Sequence, residues 1–291
     1  MDINQWKSHI DTIVDDEGQW IGIADENGYP LYELHGQLKF PQAQLSASSA
    51  EMTVHVHPQD PILNDLVGNN LGATDKEGRL LPIAGPTRLL ILTRGNTRRA
   101  ALITHVIVGG TSTPSTVTIH AVDLLDGLAS WPAPSIPVEW IHARNNWKQL
   151  SADESHTDYG QVYEVARVPF ATKLLMYREE GPAKTVIRNI IQDSFDAVNA
   201  LMGWRRPHAV VAYDGGKDTT AHVQMRINDD PVLDTVAETA RQCGLAITVE
   251  LWWPGDAAVT VRTDQEGTKT REQTWSHPIQ IVRVEEFKEE P

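Results

Sequence analysis

The chain has 291 residues, of which 25 are basic and 39 are acidic, and its formal net charge is −14 at pH 7. A hydrophobic content of 41% excludes disorder of the whole chain, and the length is enough for two domains. The acidic charge argues against a nucleic-acid-binding protein, because contacts to phosphate need clustered lysine and arginine.

The first half of the sequence has the pattern of a mainly β domain. Short apolar or alternating segments are separated by turn residues, such as the Asn27-Gly28 pair, which favours a tight hairpin. Strands are predicted over residues 19–24, 29–34, 50–57, 88–93, 100–108 and 115–122. Asp123 is expected to cap a short helix that follows them. Many short strands joined by Gly and Asn turns predict a β-barrel or sandwich domain over residues 1–150.

A connector separates this domain from the second half of the chain. Three prolines between Trp131 and Pro137 exclude a helix or a central strand, since proline has no backbone donor. The stretch that begins at Ser151 is polar and acidic. Residues 131–160 therefore have the composition of a connecting segment. We place the domain boundary between about residues 150 and 175, and we assign the connector to residues 151–175.

The second half has the apolar spacing of helices alternating with strands, which together predict a compact α+β domain over residues 176–264. Its expected order is helix, hairpin, helix, hairpin, and Gly244 is expected to cap the second helix in a left-handed conformation. The predicted elements are helices over 182–201 and 231–243, and strands over 208–213, 219–227, 245–253 and 257–262. Residues 265–291 are expected to form a loop, a last strand over 279–284 and a charged tail.

Few sequence motifs suggest chemistry. His55 and His57 lie on one face of a predicted strand at a spacing that metals use, but no third ligand is evident nearby, so we expect a polar strand face. Residues 214–218 (Asp-Gly-Gly-Lys-Asp) lack the spacing of a phosphate loop or a calcium loop, which favours a hairpin turn. With no signature of a catalytic site or a cofactor site, we expect a structural component and not an enzyme.

Two further groups of residues have simple interpretations. Cys243 is the only cysteine, so an internal disulfide is impossible, and its apolar neighbours predict a buried thiol. The densest basic cluster, Arg94, Arg98 and Arg99, flanks a predicted turn and is expected to be solvated.

The nine tryptophans exceed the usual number for a chain of this length, and they suit core packing, a subunit interface or a sugar-binding platform. Those considered for an interface are Trp131, Trp140, Trp147, Trp252 and Trp253.

Several motifs, in their order along residues 15–262, resemble those of a known family. They are residues 44–54, the Asp60-Pro61-Ile62-Leu63 step, the hairpin 88–108, residues 116–128, Gly181-Pro182-Ala183, residues 230–233 and residues 243–245. Together they resemble the minor tail proteins of long-tailed (siphovirus) actinobacterial phages, of the tail-hub or baseplate-hub type. Members of that family often continue with further C-terminal domains, whereas this sequence stops at Pro291, so a fibre, peptidase or sugar-binding role is not expected from the resemblance.

The resemblance implies a β-barrel ring at the tail tip of a virion, which joins the tail tube to the tip and leaves a channel for DNA. It implies a homotrimer, with a hexamer as the other possibility, and contacts to the distal tail protein, the tape measure protein and other minor tail proteins. The genome would pass without specific binding. Without a recognisable secretory signal or membrane helix, synthesis in the host cytoplasm and no membrane insertion are expected.

Three other functions stay open at this point. The first is a hexameric distal tail protein. The second is a carbohydrate-binding adhesin at the tail tip, with Trp147, Trp252 or Trp253 as stacking surfaces. The third is a metal-dependent hydrolase that uses His55 and His57.

Overall fold

A computed structural model describes residues 2–43, 45–68, 74–79, 85–135, 144–149, 158–166, 178–214 and 216–287. The fold is mixed α+β and mostly β. The chain forms two compact units: unit one comprises Met1–Asp126, Thr248–Ala258 and Gln273–Val282, and unit two comprises Gly127–Ile247, Val259–Glu272 and Arg283–Pro291. This division differs from the sequential one predicted above, because two segments from the last third of the chain group with the N-terminal part.

Unit one is built on a seven-stranded antiparallel sheet with the order β2-β1-β5-β6-β7-β4-β3. Its strands are β1 (Trp20–Asp25), β2 (Pro30–Glu33), β3 (Gly36–Lys39), β4 (Ser49–His55), β5 (Arg88–Arg94), β6 (Thr97–Gly109) and β7 (Thr116–Asp123). All six strands predicted in this region are confirmed, and β3 is an addition. Helical turns span Pro61–Leu63, Asn64–Gly68 and Leu124–Ala129, and the side chain of Asp123 caps the last of them as predicted.

The sheet curls into a half-barrel because its two nominal edges are joined by the chain itself. Edge strand β2 ends at Glu33, and edge strand β3 starts at Gly36. The three peptide steps between them span at most about 11 Å, so the two edges must lie close together. At the junction Gly36 is required, since a Cβ there would lie 2.1 Å from the carbonyl oxygen of Thr53.

The core of unit one lies on the concave side of this sheet. Alternate residues of the strands point inward, so Met52 and Val54 on β4 face the same core as Ile119 and Val117 on β7. The buried members of the cluster are Ile21, Ile23, Leu34, Ala50, Met52, Val54, Val56, Ile62, Leu90, Leu92, Ala101, Val117, Ile119 and Ala121. The period-two burial confirms the alternation predicted for residues 50–57.

Helix α1 (Ile3–Glu17) packs against β1 and β5 and was not predicted from the sequence. Its start is fixed by a capping box, in which Asp2 and Gln5 each accept a hydrogen bond from the other's backbone N–H. Ile10 is fully buried, and the ring of Trp6 meets the ring of Trp20 edge-on at a centroid distance of 6.1 Å.

Unit two is organised around helix α2 (Ala183–Met202), with the shorter helix α3 (Val232–Gln242) packed on it. The strands in the second half of the chain, of which β13, β15 and β16 are divided between the two units, are β8 (Arg144–Gln149), β9 (Asp158–Ala166), β10 (Arg178–Pro182), β11 (Ala209–Val211), β12 (His222–Arg226), β13 (Leu245–Trp252), β14 (Val259–Arg262), β15 (Thr270–Gln273) and β16 (Ile279–Glu286). They pair as β8-β9, β10-β12, β11-β16-β13 and β14-β15. Both predicted helices are confirmed, and Gly244 follows α3 at φ +64° as expected.

The two hairpins predicted for this half are wrong, although their strands exist. Strands β11 and β12 lie in different sheets, and so do β13 and β14. Strand β14 pairs instead with β15, which lies inside the predicted loop 265–277. The predicted turn after β11 does not join β11 to β12 in a hairpin. Instead, Asp214 and Asp218 bind Lys184 and Thr185 at the start of α2.

Leu90→Ala is expected to lower the free energy of unfolding by about 2 to 5 kcal/mol, because Leu90 is fully buried in the sheet core. The matched variant Leu102→Ala removes the same atoms from a side chain that is 38% exposed on β6, and should cost less than about 1 kcal/mol. Urea unfolding of both variants measures the difference. Equal losses would contradict the assignment of β5 to the core.

Candidate functional site

The hairpin of β6 and β7 extends beyond β5, its neighbour on the other side. The pairing of β5 with β6 ends at Leu89 opposite Leu102, whereas β6 continues along β7 until Gly109 lies opposite Thr116. Among the described residues, the segment 103–109 of β6 therefore has a strand neighbour on one side alone. We call this segment the free edge. Unpaired backbone groups on such an edge are a template for a strand from another chain.

Exposed apolar side chains accompany the free edge. Leu102, Ile107 and Val108 are 38%, 55% and 37% exposed, and they are three of the six large hydrophobic side chains that are exposed in the described part of the chain. The free edge carries no proline, lysine or acidic residue, which are common protections against strand pairing, although the register shift between Ile103 and His105 is an irregularity of the kind that also discourages it. The exposed apolar side chains therefore make this segment a candidate interaction surface.

The pairing of β6 with β7 shifts by one residue between Ile103 and His105, and this shift decides which side chains of β6 point to the core. Because of it, Val106 still points to the core opposite Ile119, and His105 points outward opposite His120. The two imidazole rings stack on the outer face with centroids 4.5 Å apart and 10° between the planes. Ile107 therefore lies beside a polar, aromatic surface on the same face.

The tryptophans proposed for an interface have mostly internal roles. Trp253 is fully buried and Trp252 is 5% exposed, so these two side chains belong to the core and offer no surface to a partner or a sugar. Trp131 is half-buried, and its ring meets that of Phe195 edge-on at 4.9 Å. Trp140 lies outside the described residues, and of Trp147 the structure describes the backbone in β8 but not the side chain.

The expectation that the basic cluster is solvated is wrong for two of its three members. Arg98 is 7% exposed, and its guanidinium binds the Asp256 carboxylate at 2.7 Å and the carbonyl oxygen of Leu251 at 3.1 Å. The same guanidinium lies 3.6 Å from the centroid of the Trp253 ring. Arg99 binds the Asp123 carboxylate at 3.1 Å. Both arginines have structural roles, because they bind partners that are distant from them in the sequence.

Asp256 holds its charge through several contacts within unit one. Burial alone would raise the pKa of this carboxyl, but the nearby Arg98 charge and hydrogen bonds from Arg98, Lys7 and the backbone N–H of Trp253 outweigh burial, and the pKa is lowered. Burial also lowers the pKa of Arg98, which nevertheless stays charged at neutral pH because its ordinary value is 12.5. The pair is therefore ionised.

His55 and His57 are both exposed at the end of β4, as expected for a polar strand face. The backbone N–H of His57 donates to the carboxylate of Asp60 at 2.6 Å. Within the part of the chain that the structure describes, no three His, Cys, Asp or Glu side chains are grouped as metal ligands. The histidine pair has no third ligand there.

The remaining motifs are structural. Asp214 and Asp218 anchor the start of α2, because Lys184 donates to Asp214 at 2.8 Å and Thr185 donates to Asp218. Cys243 ends α3 and is half-buried, so the expectation of a buried thiol was too strong.

Buried polar residues of α2 were missed by the sequence analysis, which considered only its apolar positions. Burial raises the pKa of Asp193 to about 6, against the opposing charge of Arg262, to which it is paired. Gln192 accepts a hydrogen bond from the backbone N–H of Val211. The buried polar members of α2 are Arg188, Asn189, Gln192, Asp193 and Ser194, and each is bound within unit two. These contacts fix α2 to the segments of unit two that surround it.

No family model and no curated protein sequence matches the chain. Among solved structures, the chain is similar to a 43 kDa tail protein of prophage MuSo2 from Shewanella oneidensis, with a TM-score of 0.30 and 11% sequence identity. The match covers 91% of this chain and 55% of that protein, so the chain spans about half of its length. A TM-score of this size does not establish a shared fold.

None of the helices that the structure describes has the length and apolar content needed to cross a lipid bilayer.

Asp256→Asn is expected to lower the free energy of unfolding at pH 7 by about 2 to 3 kcal/mol, because it leaves the buried Arg98 without a counter-charge. The pKa of Asp256 is lower in the folded state, so its stabilising contribution is full above its unfolded pKa of about 3.9. That contribution disappears as the pH falls through the folded pKa, and the gap between wild type and variant should shrink from pH 5 to pH 2.

Chemical denaturation at a series of pH values measures this gap. The control Asp126→Asn changes an exposed carboxylate of the same unit and should shift stability by less than about 0.5 kcal/mol at pH 7. A gap that stays constant or widens in acid would mean that Asp256 is not preferentially ionised in the folded protein.

Proposed function

We propose that this chain is a structural, non-catalytic component of a phage tail, and that copies of it assemble into a ring at the tail tip. The observation that carries the proposal is the free edge of β6, where unpaired backbone groups and exposed apolar side chains coincide. A monomer that works alone gains nothing from such a surface, whereas strand pairing between copies would cover it.

The sequence resemblance to tail-hub proteins gives the proposal its biological setting. The half-barrel sheet of unit one is compatible with the β-barrel domains that the resemblance implies. The polar side chains that are buried in α2 bind other parts of unit two, and so they are used for structure.

In the proposed assembly, the ring joins the tail tube to the tip and contacts the distal tail protein, the tape measure protein and other minor tail proteins. The net charge of −14 suits a channel that DNA passes without binding, because like charges repel phosphate. We favour a homotrimeric hub of a siphovirus tail, and a hexameric distal ring is the other arrangement that the same edge could build.

The adhesin alternative loses its main support, because two of its three stacking tryptophans, Trp252 and Trp253, are buried. The third, Trp147, has no described side chain.

Ile107→Lys is the variant that tests the free edge. It places a charge on the most exposed apolar side chain of that edge, which should block strand pairing while leaving the core intact. Native mass spectrometry and sedimentation velocity should find three or six copies for the wild-type protein and a monomer for the variant, and the far-UV circular dichroism spectrum of the variant should be unchanged.

The matched control Asn96→Lys adds the same charge to an exposed turn at the other end of β6 and should assemble as the wild type does. A variant Ile107→Lys that assembles normally would rule out the free edge as the contact. A wild-type protein that is monomeric up to 100 μM, on the order of the concentration at which weak complexes form, and absent from virus particles would refute the whole function.

A further inference from the structure

A second exposed surface lies at the end of α2. Residues 202–208 have the sequence Met-Gly-Trp-Arg-Arg-Pro-His, and we call them the Trp-Arg loop. Met202 and Trp204 are 49% and 40% exposed, and with the three residues on β6 and Phe287 they complete the set of exposed large hydrophobic side chains in the described residues. This surface is separate in sequence from the free edge.

Contacts within unit two hold the backbone and the ring of Trp204 in place. Gly203 adopts φ +67° and ends the helix, and the backbone N–H of Trp204 donates to the carbonyl oxygen of Asn199 at 2.9 Å. The ring of Trp204 contacts Trp131 edge-on at 6.5 Å and His208 at 4.8 Å. An exposed tryptophan that is already held in place loses little entropy on binding, which is why such residues dominate the energetics of many interfaces.

The charge of the loop defines its partner. Arg205 and Arg206 are exposed, and neither forms an ion pair with any described residue of its own chain. Other arginines are already paired with acidic side chains, namely Arg88, Arg98, Arg99, Arg188, Arg241 and Arg262. Two adjacent guanidinium groups that form no ion pair among the described residues, beside an aromatic ring, fit an acidic protein surface.

The end of α1 supplies such a surface on every copy. Asp15, Asp16 and Glu17 are consecutive and exposed, and the last turn of the helix contains no basic residue. Negative charge at a helix C-terminus is unfavourable, because it adds to the negative end of the helix dipole. A cation from outside would relieve this repulsion.

We propose that the Trp-Arg loop of one copy binds the acidic end of α1 on the next copy; this rests on the ring assembly proposed above. The contact joins two different surfaces of the same chain, so it is heterologous, and interfaces of this kind generate rings when the rotation closes. In a chain with a net charge of −14, it also gives neighbouring copies a local attraction that offsets their general repulsion.

Charge exchange tests the contact. Arg205→Glu with Arg206→Glu puts negative charge opposite negative charge, and Asp15→Lys with Asp16→Lys puts positive charge opposite positive charge. Each pair of substitutions should weaken assembly at least tenfold in dissociation constant, measured by sedimentation velocity at 50 mM salt. The chain that carries all four substitutions has its charges exchanged and the same net charge as wild type, and it should assemble again.

Lys76→Glu with Arg79→Glu is the matched control, because it adds the same negative charge as the arginine variant at an exposed turn and should assemble normally. Trp204→Ala should also weaken assembly, and added salt should weaken the wild-type contact.

The outcomes separate the two proposals. A wild type that assembles while both charge variants assemble equally well overturns this contact and leaves the ring standing. Charge variants that fail to assemble and are not restored by the fourfold exchange overturn the pairing with α1. A wild type that never assembles in solution overturns this contact, and if it is also absent from virus particles it overturns the proposed function as well.

Discussion

The buried ion pair between Arg98 and Asp256 is the interaction on which the organisation of unit one depends. It joins a strand of the N-terminal sheet to a segment more than 150 residues further along the chain. Trp253 covers the guanidinium and donates a hydrogen bond from its indole N–H to the carbonyl oxygen of Gly28 at 2.9 Å. An arginine in this position is costly to bury unless all of these partners are present, and so the late segment and the early sheet must form as one cooperative structure.

Local patterns predicted most of the secondary structure, because alternation and helical spacing are properties of short segments. Helix α1 is an instructive omission, since Asp2 and Gln5 form a recognisable capping box and Trp6 and Ile10 have helical spacing. The pairing of the C-terminal strands could not be predicted in this way. It depends on contacts such as Asp218 with Thr185, which are 33 residues apart and leave no mark on the spacing of apolar residues.

The candidate surfaces show the same limit. The predicted strand 100–108 was already longer than the predicted strand 88–93. This difference in length indicates that β6 extends beyond the end of β5. By contrast, nothing local distinguishes the buried Arg98 from the exposed Arg205. Their difference arises because Asp256 and Trp253 reach Arg98 through the fold, whereas no described side chain forms an ion pair with Arg205. Charge and aromatic content therefore indicate how many contacts a chain can make, but not where they fall.

The link formed by Leu34 and His35 has a consequence for growth of the structure. Because this link joins the end of β2 to the start of β3, the two margins of the half-barrel are held close to each other. In the described part of the sheet, the open hydrogen-bonding positions of β6 lie along residues 103–109, on the side that faces away from β7. A strand added there, parallel or antiparallel, would extend the sheet on the side of β6 that faces away from β7.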